Sequence, residues 1–216
     1  MLAAFLLYDR FTALDAIGPY EVLASVPDID PVFVAEQTGP VRNESRTLAL
    51  VADRPLDEVP TPDIVVVPGG FGTRALLRHE PLLSWLRSAH ATSAWTTSVC
   101  TGSLLLAAAG LLDDAPATTH WLARDTLAKL GARPVTERVV QQGKIVTAAG
   151  VSAGIDMALR LVQLIYGEEA AQAVQLGIEY APEPPFDAGS PDTAPEPVVE
   201  LVTQAFARQG PAHAAR

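Results

Sequence analysis

The chain has 216 residues, 49% hydrophobic and 19% charged, a balance that fits one compact domain and excludes a disordered or low-complexity chain. With 25 acidic against 15 basic side chains the formal net charge is -10, so the surface repels phosphate backbones and nucleic acid is not an expected partner. One cysteine allows neither an internal disulfide nor a multi-thiolate metal site, the four histidines are scattered, and no apolar run reaches the roughly 20 residues that a bilayer span needs.

Residues 2–8 read as a fully buried first strand. The amino-terminal stretch lacks the basic region of a signal peptide and soon turns acidic, which makes a cytoplasmic location the expectation. A loop from Asp9 to Ala13 leads to a helix over Asp15 to Ala24, and Pro31 to Glu36 form a second strand. A hairpin-like region lies around Leu48 to Ala52. The strand Asp63 to Pro68 is broken by Gly69-Gly70-Phe71-Gly72, and a helix follows near Pro81 to His90. The next strand runs directly into a Leu/Ala-rich helix that closes on Gly110. Beyond it lie a short strand over Ala117 to Trp121, a helix from Trp121 to Leu130, and a hairpin pairing Val135 to Gln141 with Lys144 to Thr147 across Gly143. Helices over Ser152 to Tyr166 and Glu168 to Tyr180 precede a Pro-rich loop, Ala181 to Pro197, and a terminal helix to Gln209; Gly210 to Arg216 are expected to fray. Apolar strands alternating with helices predict a parallel sheet covered on both faces, within one domain over 1–209.

The most informative segment is Ser93 to Ala107, which places Cys100 where a strand turns abruptly into a helix, with Gly102 expected to allow the tight bend. A side chain there stands at the carboxyl edge of the sheet, with helix amides aimed at it. A lone cysteine is also among the most buried residue types, but the strand-turn-helix context favours a nucleophile. An unperturbed thiol, of pKa about 8.5, is only about 3% ionised at pH 7, so the helix amides are expected to lower its pKa, whereas an ionised carboxylate beside the sulfur would oppose that shift and leave one proton shared by the two groups.

Five ordered segments, FTALDAIGPYEVL, PGGFG, SVCTGSLLLAAAGLL, ATTHW and GVSAGIDMALRLV, resemble the DJ-1/PfpI superfamily. That resemblance implies an α/β three-layer sandwich with a mostly parallel sheet, of the flavodoxin-like, class I glutamine amidotransferase-like type. Within the superfamily the chain is similar above all to the isonitrile hydratases, and LGIEYAPEPPFDAGSPDTAP extends the likeness toward the carboxyl terminus.

The resemblance implies Cys100 as nucleophile and Asp15 as the acidic residue beside it, with Glu21 the less favoured choice; an Asp before a helix is also a common N-cap. It implies that the backbone amides of Gly70 and Thr101 face the reacting atoms and that Val151 closes the pocket beside the thiol. Many PfpI-type members carry His after the nucleophile, where this chain has Thr101, and no histidine is followed two residues later by Glu, so amidotransfer and Cys-His-Glu proteolysis lose support. His120 reads as a hydrogen-bonding residue at a helix start. Phe71 and Trp121 read as packing residues.

The implied chemistry is hydration of an isonitrile to an N-substituted formamide through a cysteine thioimidate, with no cofactor and no metal, in an apolar pocket that suits a neutral substrate. The implied state is a homodimer, with the arm from Ala181 packing across the subunit interface or along the active-site rim. Other readings are a ligand-sensing core of the AraC-regulator kind, disfavoured because little chain follows Leu201 to supply a DNA-binding module, a glyoxalase or deglycase, and a redox-sensing cysteine.

Overall fold

The structure, a computed structural model, describes residues 1–209. Its elements in chain order are β1 (Leu2–Leu6), α1 (Ala13–Ala24), β2 (Asp30–Ala35), β3 (Gly39–Arg42), β4 (Ala49–Ala52), β5 (Arg54–Pro55), β6 (Ile64–Val67), α2 (Thr73–Leu76), α3 (Glu80–Thr92), β7 (Trp95–Val99) and α4 (Gly102–Ala108). They continue with β8 (Pro116–Ala117), α5 (Arg124–Lys129), β9 (Arg133–Pro134), β10 (Val139–Gln142), β11 (Ile145–Ala148), α6 (Ala153–Tyr166), α7 (Glu168–Gly177) and α8 (Glu196–Gln209). Contacts divide the chain into two compact units, Met1–Glu179 and Tyr180–Arg216, where the sequence suggested one domain over 1–209. The expected fraying of Gly210 to Arg216 lies outside the described residues.

In the first unit seven strands form one sheet in the order β10-β11-β7-β6-β1-β2-β5, and every pairing is parallel except β10 with β11. The strand period sorts the core into two layers. From β1, Ala4 and Leu6 face a cluster that includes Leu83 and Leu86 of α3 and Leu104 to Leu106 of α4. Ala3 and Phe5 face the other side, against Val22 and Leu23 of α1 and Ala158, Leu161 and Val162 of α6. This is the sheet covered on both faces that the apolar strands predict and the α/β three-layer sandwich that the resemblance implies, and each fully buried Leu contributes about 1.5–3 kcal/mol of apolar transfer.

Differences from the expected elements are local. The helix expected from Trp121 starts as a 3-10 turn, Trp121–Ala123, before α5. The pairs β3–β4 and β10–β11 are the two hairpins, and β11 also joins the main sheet parallel to β7. The short strand expected over Ala117 to Trp121 is confined to β8, Pro116–Ala117, and the strands β5 and β9 and the single turn α2 are too short to leave a periodic signal. In the second unit a segment rich in turns precedes α8, and Phe186, Val198 and Leu201 are exposed. No helix among the described residues is long and apolar enough to cross a membrane.

Candidate active site

The carboxyl ends of the adjacent strands β11, β7, β6 and β1 converge on Cys100, the crevice in which open α/β sheets bind ligands. Cys100 itself takes the left-handed turn, at φ 55°, a conformation that costs a non-glycine residue of order 1–3 kcal/mol. Its backbone is clamped on both sides. The Cys100 N–H donates to the carbonyls of Ala148 (3.1 Å) and Ala149 (2.8 Å), and its carbonyl accepts from Thr119 Oγ1 (2.9 Å) and Ser103 Oγ (3.2 Å). Gly102 serves close approach and not the bend that the sequence suggested: a Cβ there would lie 2.1 Å from the Val67 carbonyl oxygen.

Asp15, on the first turn of α1, is wholly buried and accepts a 2.9 Å hydrogen bond from the Gly69 N–H on Oδ2. The Cys100 thiol is its side-chain hydrogen-bond neighbour, while its Oδ1 has no fixed partner. Burial pushes the Asp15 carboxyl well above the usual carboxylate range, against the opposing Gly69 hydrogen bond, and the nearby Glu44 carboxylate adds to the rise.

The thiol is displaced in the direction opposite to the one expected from helix amides. Burial and the Asp15 charge push it well above the ordinary cysteine range, and the Val151 and Thr101 N–H groups directed at sulfur, with the Arg74 guanidinium, only partly offset them. The helix behind it, α4, has just seven residues. Two acids that each resist ionisation beside the other hold a proton between them at neutral pH.

The structure thus brings Cys100, Asp15, Thr101 and Val151 together. Gly70 adjoins them, but its N–H donates to Thr101 Oγ1 at 2.9 Å, so of the two amides expected to face the reacting atoms it is Thr101 that is aimed at sulfur. Glu21 is exposed on α1, away from this cluster. His120 accepts the Leu122 N–H on Nδ1 at 3.3 Å and stacks on Trp121 with ring centroids 5.9 Å apart. Burial and the charges of Arg74 and Arg124 lower its pKa to about 4, so it is neutral at pH 7.

Several neighbours carry no sequence motif. Tyr8, at the end of β1, donates its hydroxyl to the Pro68 carbonyl at 2.6 Å and is kept protonated by burial and by Asp15 and Cys100. Glu44 accepts from Thr12 Oγ1 at 3.1 Å, and burial raises its pKa. Arg74 donates to the Gly70 carbonyl at 2.9 Å. Behind the thiol lies a buried apolar cluster of Val99, Val146, Ala148, Ala153 and Met157, with Val151 packed against it.

A model of the DJ-1/PfpI family matches residues 1–164. The chain belongs to the DJ-1/PfpI family. It is 49% identical over 196 residues to the isonitrile hydratase of Pseudomonas putida, covering 91% of this chain and 86% of that protein. It is 32% identical over 171 residues to the HTH-type transcriptional regulator CdhR of Pseudomonas aeruginosa, which covers 72% of this chain but 50% of the regulator. The crystal structure of a ThiJ/PfpI family protein from Pseudomonas syringae superposes with a TM-score of 0.92 at 35% identity, covering all of this chain (100%) and 90% of the other. Drosophila melanogaster DJ-1beta, at 22% identity and a TM-score of 0.76 over 84% of this chain and 98% of its own, shares the fold.

Proposed function

We propose that this chain is an isonitrile hydratase that converts R–N≡C to the N-substituted formamide through a covalent thioimidate on Cys100. The observation that carries this reading is the buried thiol–carboxyl pair with the Val151 and Thr101 amides on sulfur, in a chain 49% identical to a known isonitrile hydratase.

The pair enters the reaction with one proton, which rests on the thiol and which Asp15 takes from sulfur as the isonitrile approaches. Cys100 Sγ bonds to the terminal isonitrile carbon as Asp15 protonates that carbon, giving R–N=CH–S and an ionised carboxylate. Asp15 then takes a proton from water while the hydroxide attacks the same carbon, and passes that proton to nitrogen. Collapse of the tetrahedral adduct breaks the C–S bond, returns the hydroxyl proton to Asp15, and frees R–NH–CHO and the thiolate. One carboxyl alternates twice between acid and base, so a neighbouring histidine is dispensable. Its upward displacement suits that cycle, because it makes the carboxylate a readier proton acceptor than an ordinary Asp.

Gly70 supports this arrangement by fixing the Thr101 side chain, and Val151 presents the second amide to sulfur. The burial of the thiol weighs against a redox-sensing role, since oxidation follows thiolate character and exposure. A homodimer in the cytoplasm completes the reading; the exposed Phe186, Val198 and Leu201 of the second unit are the apolar surface that a partner subunit would cover. Removing residues after Tyr180 is expected to weaken dimerisation in sedimentation experiments, and a truncated chain that stays dimeric with unchanged kinetics would refute a role for the arm. The primary test is incubation with cyclohexyl isocyanide. Formation of N-cyclohexylformamide, with a mass adduct on Cys100 during turnover, is the expected result, and no formamide from alkyl or aryl isocyanides would overturn the reading.

A further inference from the structure

Three guanidinium groups gather at the site of a chain whose net charge is -10. Arg74, two residues past the glycine turn, places Nη1 2.9 Å from the Gly70 carbonyl oxygen and 3.5 Å from Thr101 Oγ1, next to the nucleophile. The Cζ of Arg74 lies 5.3 Å from the centroid of the Phe71 ring, and that of Arg10 lies 5.7 Å from the same centroid. The charge of a third arginine, Arg124 at the start of α5, acts together with that of Arg74 on His120.

Like charges that converge in this way repel, and a protein ordinarily interleaves them with carboxylates. Here the ion pairs closer than 4 Å among the described residues belong to other cations, Arg46, His79, Arg87, Arg133 and Arg138. The Nε atoms of Arg10 and Arg124 are buried without a hydrogen-bond partner. Glu44 feels the charges of Arg10 and Arg74, but its hydrogen bonds go to Thr12 Oγ1 and the Phe71 N–H, and no ion pair closer than 4 Å joins it to either arginine. One carboxylate does not neutralise three guanidinium groups. An arginine pair stacked on an aromatic ring is suited to grip a carboxylate while the ring supports the carbon skeleton that carries it.

Resting on the isonitrile hydratase reading, we propose that the preferred substrates are isonitriles whose R group bears a carboxylate, held by Arg10 and Arg74 at the Phe71 edge of the site while the isonitrile carbon reaches Cys100. This departs from the neutral substrate that an apolar pocket alone suggests. The Phe71 ring supports the carbon skeleton, and the two arginines select its acidic end.

The test compares 4-isocyanobenzoate with 4-tolyl isocyanide and neutral 4-isocyanobenzamide on the full-length protein. The expected result is a kcat/KM for the benzoate higher by roughly tenfold or more than for either neutral compound, carried mainly by KM and falling as salt is raised. In Arg10→Gln and Arg74→Gln that ratio falls toward one. A ratio at or below one in the wild type, with neutral isonitriles turned over, would overturn the proposal and leave the hydratase reading standing. An unchanged ratio in variants that slow all three substrates alike would also overturn it, and would assign the arginines to the thiolate. Calorimetry on Cys100→Ala with the products 4-formamidobenzoate and 4-methylformanilide separates the two readings: tighter binding of the benzoate without formamide production in the wild type keeps the carboxylate site and sinks the hydratase, and equal binding sinks the site.

Discussion

Replacing His120 by Asn gives a quantitative check on the electrostatics of the site. His120 accepts the Leu122 N–H as the cap of a 3-10 turn, and an Asn side-chain oxygen is well suited to the same bond. Its pKa is lowered from 6.5 to about 4 by burial and by Arg74 and Arg124. A base depressed in this way contributes stability that is fully present above the unfolded pKa and is lost as pH falls through the folded value. At pH 4.5 the unfolded imidazole is protonated about a hundredfold over neutral, whereas the folded one is mostly neutral, which makes the loss relative to pH 7.5 about 2.5 kcal/mol. Urea unfolding of wild type and His120→Asn at both pH values isolates this contribution, because all other titrations, including that of Asp15, which has the opposite sign, cancel in the difference. The wild type is expected to lose about 2.5 kcal/mol more than the variant between the two. Equal losses would show that the imidazole titrates normally and that the cationic surroundings assigned to it are wrong.

Cys100→Ala should abolish formamide production while changing stability by only about 1 kcal/mol, and any isocyanide turnover by that variant would refute covalent catalysis. Asp15→Asn should lower turnover by roughly a hundredfold or more. Because the folded pKa of Asp15 is raised, its contribution to stability is full below the unfolded value and lost as pH rises through the folded one, so the same variant should unfold at higher denaturant than wild type at pH 8 and lose that advantage at pH 4. Gly102→Ala should cost several kcal/mol, as measured by thermal unfolding, since its Cβ would meet the Val67 carbonyl oxygen at 2.1 Å; a near-native melting temperature would mean that the elbow yields more readily than its packing implies.

The sheet and the elbow are legible in the sequence because they are local. The apolar run of β6, the strand-to-helix junction at Cys100 and the periodicity of α6 each fit within one window of the chain. Tyr8, Arg10, Glu44 and Arg74 could not be read in the same way, since they lie in separate loops and turns that meet only once the order β11-β7-β6-β1 is set, and none stands in a motif. A cheap signal did exist for one of them: Arg74 follows the glycine turn by two residues, within reach of any group that turn presents to the nucleophile.

The direction of the thiol's displacement was hidden for a different reason. A helix start suggests an ionised cysteine, but the seven-residue α4 opposes both the Asp15 carboxyl that the family resemblance places beside the thiol and a full burial that is not visible along the chain. Burial therefore decides the resting state, and the groups that favour the anion act on a pair that already resists it. The consequence is chemical. A thiolate ionised at rest would meet alkylating and oxidising species as readily as substrate, whereas a buried thiol sharing its proton with Asp15 becomes nucleophilic when an acceptor arrives that can take that proton at carbon. An isonitrile, whose terminal carbon both accepts the sulfur and is protonated in the same step, is such an acceptor, which is why a site so poorly arranged for a free thiolate is well arranged for this reaction.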